Sequence, residues 1–181
     1  MHTNVGGGYE DQNLANLTLA WMVDKCRPFL TFDESYLNMC IRLDHHPEKI
    51  NSSLREKNGG FDKKYLGWGL GRLYDSYDGA MVLLWWKYRT PGAYAESKEG
   101  VGATNETVHA SVRERWNKLK PEWRPKSLEG FEPVQKDGKW VWVKKGTKDG
   151  WFSSGTKEID VPEEQFTEDK STFEWRLRYA D

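Results

Sequence analysis

His2-Thr3-Asn4-Val5-Gly6-Gly7-Gly8-Tyr9-Glu10-Asp11-Gln12 opens the chain, and its reading decides what fold follows. Glycine adopts positive φ without penalty and lets backbone or ligand come close. Three in succession after a polar triplet therefore predict a tight turn rather than a helix or a strand. A histidine beside such a turn is placed as site residues are. Yet a catalytic histidine normally follows a strand that holds its loop, and only Met1 precedes this one. The expectation is that either the histidine serves no site or the segment starts in the middle of something larger.

Working outward, Asn13 is expected to cap a helix with Leu14, Leu17 and Trp21 along one face, ending before Pro28. Asp33 caps a second, with Phe32 and Leu37 at staple spacing and Tyr36, Leu37, Cys40, Ile41 and Leu43 as its stripe, to about Asp44. His45 to Gly60 shows no sustained period and ends on Asn58-Gly59-Gly60, which predicts a polar surface loop. Gly67-Trp68-Gly69-Leu70-Gly71 lacks the pattern of a phosphate loop, and Gly69 stands where a G-x-S-x-G elbow needs serine. Met81, Leu84, Trp85 and Tyr88 predict a third helix, stopping before Thr90-Pro91-Gly92. A fourth is expected from a Thr104 or Asn105 cap, with Glu106 in its first turn and Val108, Val112, Trp116 and Leu119 on one side.

After Pro121 the character changes. Phe131 to Lys136, the turn Asp137-Gly138 and Trp140 to Val143 predict a β-hairpin, since Asp-Gly favours the primed turn that matches strand twist. Val161-Pro162-Glu163-Glu164 predicts a short helix start, and the alternation of Phe173, Trp175 and Leu177 a late strand. The expected class is α+β, mainly helical with a C-terminal β-hairpin. Two parts are expected, a helical 1–130 with its polar loop at 45–60, and a Trp-rich hairpin with charged tail at 131–181.

Leu, Ile, Val and Phe make up only about 19% of the 181 residues, a value at the edge of disorder. The balance of 27 basic and 28 acidic residues, with 10 Trp and 8 Tyr, instead predicts a folded, aromatic-rich domain. Near-neutral, interspersed charge offers no basic stripe, so nucleic acid is not an expected partner. No run of 18 apolar residues occurs and no leader pattern opens the chain, so no transmembrane span and a cytoplasmic location are expected. Cys26 and Cys40 lack C-x-x-C spacing and read as buried thiols, while adjacent His45 and His46 cannot converge on an ion without a third ligand. No metal and no cofactor are expected.

An acyl hydrolase of the α/β type takes its triad in the chain order Ser, Asp or Glu, then His, so its histidine follows the last strand. The run His2 to Gln12, followed by Leu14-Ala15-Asn16-Leu17-Thr18-Leu19-Ala20-Trp21-Met22, resembles the type VI secretion phospholipase effector-like catalytic domain. This is an α/β-hydrolase family common in fungi and found in bacterial lipase effectors. The resemblance continues in Gly71-Arg72-Leu73-Tyr74-Asp75-Ser76-Tyr77, in Arg89-Thr90-Pro91-Gly92, and in Thr104-Asn105-Glu106-Thr107-Val108-His109 with Ser111-Val112-Arg113-Glu114-Arg115, covering residues 2 to about 131.

The resemblance implies the C-terminal part of an α/β-hydrolase fold lacking most of the central sheet. By the same resemblance, His2 matches the general base of a serine ester hydrolase, lipase- or phospholipase-like, acting on lipid or other ester substrates. Asn4 occupies a position that is often aspartate in bacterial relatives, and Gly6, Gly7 and Gly8 form the adjoining loop. For His109 the expected role is structural, ordering the fourth helix or packing on the glycine loop. The Arg113 and Arg115 pair reads as a solvated helix face or a local salt bridge. With no G-x-S-x-G in the chain, activity of the chain alone is not expected. The alternative is a non-catalytic truncated product or pseudoenzyme, binding protein or glycan. It would self-associate through exposed aromatic faces or stack sugars on Trp140, Trp142 and Trp151.

Overall fold

Apolar residues three and four apart dominate the first forty positions, and helices follow them. The computed structural model describes residues 2–9, 11–45, 67–74, 89–92, 105–119, 125–146 and 158–179. The predicted third helix, Trp151 and nearly all of the polar loop lie outside the described residues. Two compact units emerge, Met1–Leu84 with Thr167–Asp181, and Trp85–Phe166.

In the first unit α1 spans His2–Gly6, α2 Asn13–Cys26 and α3 Glu34–His45, and α5 (Phe173–Tyr179) packs against α2 and α3. Helix α2 buries Leu17, Ala20 and Val23, with Leu14 and Trp21 half-buried beside them. Its N-cap is Gln12 rather than the expected Asn13, whose amide is occupied elsewhere. Asp33 caps α3 as predicted. Its Oδ1 accepts from Ser35 N at 2.9 Å, Ser35 Oγ at 2.6 Å and Tyr36 N at 3.4 Å, which holds the Asp33 carboxyl below the ordinary aspartate value.

Helix α5 overturns the expected late strand. Phe173 and Leu177, one helical turn apart, are both buried, while Trp175 between them is only half-buried. Asp24 of α2 starts the helix, its two oxygens accepting from Phe173 N at 2.7 Å and Glu174 N at 2.8 Å. Glu34 then ties the three helices, meeting Arg27 Nη1 at 2.8 Å and Arg176 Nη2 at 2.9 Å.

The second unit is built on a mixed four-stranded sheet in the order β1-β4-β3-β2. β1 is Val108–His109, β2 Phe131–Lys136, β3 Lys139–Lys144 and β4 Ile159–Glu164, with α4 (Ala110–Leu119) following β1. β2, β3 and β4 run antiparallel and β1 pairs with β4 in parallel. The predicted hairpin is present, and Asp137 at φ 51° with Gly138 at φ 75° gives the primed turn its left-handed pair.

Two expectations fail here. The fourth helix starts at Ala110, not at Thr104 or Asn105, because Val108 and His109 pair with Glu163 and Glu164 and the ladder takes their backbone. Val161-Pro162-Glu163-Glu164 is strand, not helix. Burial alternates along it, with Val161 and Glu163 inside and Asp160 and Pro162 outside. The core under this sheet is Val108, Trp116, Leu128, Phe131, Trp142 and Val161. Trp116 meets Trp142 edge to face at 5.8 Å between ring centroids. Helices with a mixed sheet make the chain α+β.

Candidate functional site

The glycine triplet divides into unlike parts. Gly6 closes α1, and a Cβ there would meet nothing within 4 Å. Gly7 at φ 84° and Gly8 at φ 108° make the turn, so the expected tight turn begins one residue late, after a short helix holding His2 and Asn4. The side chain of His2 lies outside the described residues.

Asn4 is buried, and its amide acts as a surrogate strand. Nδ2 donates to the Tyr74 carbonyl at 2.7 Å and Oδ1 accepts from Tyr74 N at 3.1 Å. A carboxylate here could accept the second bond but not donate the first. Asparagine thus fits the partner it has. Tyr9 stacks on Tyr74 at 4.3 Å, and the Gln12 amide donates to the Tyr9 carbonyl. Asp11 Oδ2 accepts from Arg72 N at 2.6 Å and its Oδ1 from Asn13 N at 3.0 Å. The Asn13 amide donates to the Gly67 carbonyl at 3.1 Å and accepts from Gly71 N at 2.7 Å. Gly71 is required by that approach, since a Cβ would lie 2.5 Å from Asn13 Cβ. The run Gly67 to Gly71 is thus a turn with buried Trp68 and Leu70, held from α2.

In the second unit His109 stands immediately before α4. Its Nδ1 lies 2.9 Å from Ser111 Oγ and 3.4 Å from Ser111 N, so the ring caps the helix. Ser111 is itself buried, while His109 is half-buried. Glu106 joins two further stretches. Its carboxylate accepts from Gly92 N at 2.8 Å and pairs with Arg89 Nη2 at 2.8 Å.

One constellation was not legible beforehand. The Glu163 side chain is fully buried, and Arg113 Nε donates to both its oxygens at 3.0 and 3.1 Å. Trp142 Nε1 donates to Oε2 at 3.3 Å. Burial pushes the Glu163 carboxyl above the ordinary glutamate value, against the pull of Arg113, the indole N–H and His109. The Arg113 guanidinium lies 4.3 Å over the Trp140 ring. Arg113 is thus neither on a solvated face nor in a local pair, which corrects the expectation for it, and Arg115 is buried rather than on a solvated face. The signal was present in β4, where the alternation Ile159, Val161, Glu163 places a carboxylate at an apolar position. Beside this pair a groove of about 250 Å³ is lined by Arg113, Trp116, Asn117, Glu132, Pro133 and Trp140. Trp142 is fully buried and cannot be a sugar platform, whereas half-buried Trp140 faces the groove.

Among the described residues no three of His, Cys, Asp and Glu gather as a metal set, and no helix is long and apolar enough to cross a membrane. No family model, no curated protein and no solved structure matches the chain.

Proposed function

We propose that this chain is the histidine-bearing C-terminal part of a serine ester hydrolase, lipase- or phospholipase-like. The carrying observation is that the four stretches on which the resemblance rests are joined in pairs. Asn4 of the first bonds Tyr74 of the second, and Glu106 of the fourth bonds Gly92 and Arg89 of the third. Such joins explain why those residue types stand there. In the intact enzyme His2 would take the proton of a serine as it attacks an ester carbonyl and return it to the leaving alcohol, with backbone N–H groups receiving the oxyanion. Asn4 would act as a positioning residue, fixing α1 and hence His2 through Tyr74. The nucleophile is not in this sequence, and a base without it performs no acyl transfer.

The test is to read the genomic DNA before codon 1 for an in-frame G-x-S-x-G and assay the encoded protein on p-nitrophenyl esters. His2→Ala should cost about 10³-fold or more in kcat. Activity that survives that change overturns the assignment. A second reading, self-association without catalysis, draws on Phe29, Leu30, Tyr36 and Met39, which are exposed by 85, 58, 53 and 46%. A monomer in size-exclusion chromatography at high concentration removes it.

A further inference from the structure

We propose that the C-terminal helix α5 is a strap for the opening segment: docked, it fixes the loop after α1 by way of Trp68, and undocked, it releases that loop. The strap lies wholly in the first unit and needs no catalysis, so it stands apart from the proposed ester chemistry. Seven residues are too few to hold a helix in water, so α5 is helical only while it is docked. Its start is made by Asp24, which accepts from Phe173 N and Glu174 N. Phe173 and Leu177 are buried, and Arg176 meets Glu34 and Asn38 of α3. At its far end the Arg178 guanidinium lies 4.4 Å over the Trp68 ring.

Trp68 carries the contact onward. It is buried within residues 67–74, a stretch that is neither helix nor strand and takes its shape from side-chain partners. Asn13 bonds Gly67 and Gly71, Asp11 bonds Arg72, and Asn4 bonds Tyr74, on whose ring Tyr9 stacks. α5 therefore stands at one end of a chain of contacts, and the opening segment with His2 at the other. A second route runs through α2, which bears both Asp24 and Asn13. The two routes differ in what they do to that helix. Coupling through α2 loosens its interior together with the loop, whereas coupling through Trp68 leaves the interior as it was.

The test is amide hydrogen exchange by NMR on the full chain and two variants, read at Gly71, Arg72 and Tyr74, with Leu17 and Ala20 inside α2 as references. Arg178→Gln leaves the Asp24 cap and the buried Phe173 and Leu177 in place and removes only the cation on Trp68. It should speed exchange at the three loop amides by about threefold or more. Asp24→Ala strips the start of α5 and should speed the same amides by about tenfold or more. In both variants Leu17 and Ala20 should stay within about twofold of the parent chain. The milder Arg178→Gln decides the matter by itself if Asp24→Ala fails to fold. Unchanged exchange at the loop amides in Arg178→Gln would overturn the proposal, as would an equal acceleration at Leu17 and Ala20.

Discussion

The two units hold distant chain together with different emphasis. In the first, single polar side chains act as backbone partners. Asn4 bonds Tyr74 across 70 residues, Asn13 bonds Gly71 across 58 and Asp24 caps Phe173 across 149. In the second, a ladder of strands closes over an aromatic core of Trp116, Phe131 and Trp142. The first device contributes through groups that cost free energy when left unpaired, the second through area removed from water. Substitutions should separate them.

The largest effect belongs to the aromatic core. Trp142 is fully buried, packs edge to face on Trp116 and donates to Glu163. Trp142→Ala should lower unfolding free energy by about 3–5 kcal/mol in urea denaturation. A loss under about 1 kcal/mol would mean that the sheet does not depend on this ring, and the contrast between the units would collapse.

Next is Asn13, a polar bridge whose amide both donates and accepts. Asn13→Ala strips partners from the buried Gly71 N–H and from the Gly67 carbonyl, and should cost about 2–4 kcal/mol. Hydrogen exchange sharpens the result, since the Gly71 amide should lose protection well before the interior of α2 does.

These two residues also mark the limit of what was legible. Helices α2 and α3 and the hairpin repeat their apolar residues at a fixed period, and Asp33 and Asp137-Gly138 add local punctuation, so their sequence carries its own solution. α5 and β4 were exchanged for one another because seven and six residues hold too few repeats to separate a period of 2 from one of 3.6. What decides them is nonlocal, namely Asp24 at the start of α5 and the β1 and β3 ladders on either side of β4. The candidate loop was visible through its glycines, but the partner of Asn4 was not, for a side-chain amide bonding backbone 70 residues away leaves no period. Arg113 and Glu163 were hidden for the same reason, being 50 residues apart.

Third in size is Glu163. Glu163→Ala removes the acceptor of Trp142 Nε1–H and the partner of Arg113, and should cost about 1–3 kcal/mol, reduced because Arg113 is 27% exposed and keeps water. Glu163→Gln retains an acceptor and should stay within about 1 kcal/mol. Because burial holds the folded carboxyl above its ordinary value, the folded state binds the proton more tightly than the unfolded chain. Its contribution to stability is complete below the ordinary glutamate value and declines as pH rises through the raised one. Across that window the urea midpoint of the parent chain should fall with pH relative to that of Glu163→Gln, since lowered carboxyls such as Asp33 and Glu34 contribute equally to both. A parent-minus-variant difference that rises with pH would mean that Arg113 outweighs desolvation.

The smallest contrast lies inside the opening triplet. Gly7 sits at φ 84° with Gln12 Oε1 3.1 Å from where a Cβ would be, so Gly7→Ala forces an L-residue into the left-handed region and should destabilise by about 1 kcal/mol. Gly6 is helical and has nothing within 4 Å, so Gly6→Ala removes unfolded-state freedom and should be neutral or slightly stabilising. Thermal melts of the two variants settle whether the triplet serves one purpose or two. Equal losses would show that the fold constrains Gly6 as it constrains Gly7. Unequal losses in the expected order leave Gly7 as the residue that shapes the turn and Gly6 as a position the fold does not constrain.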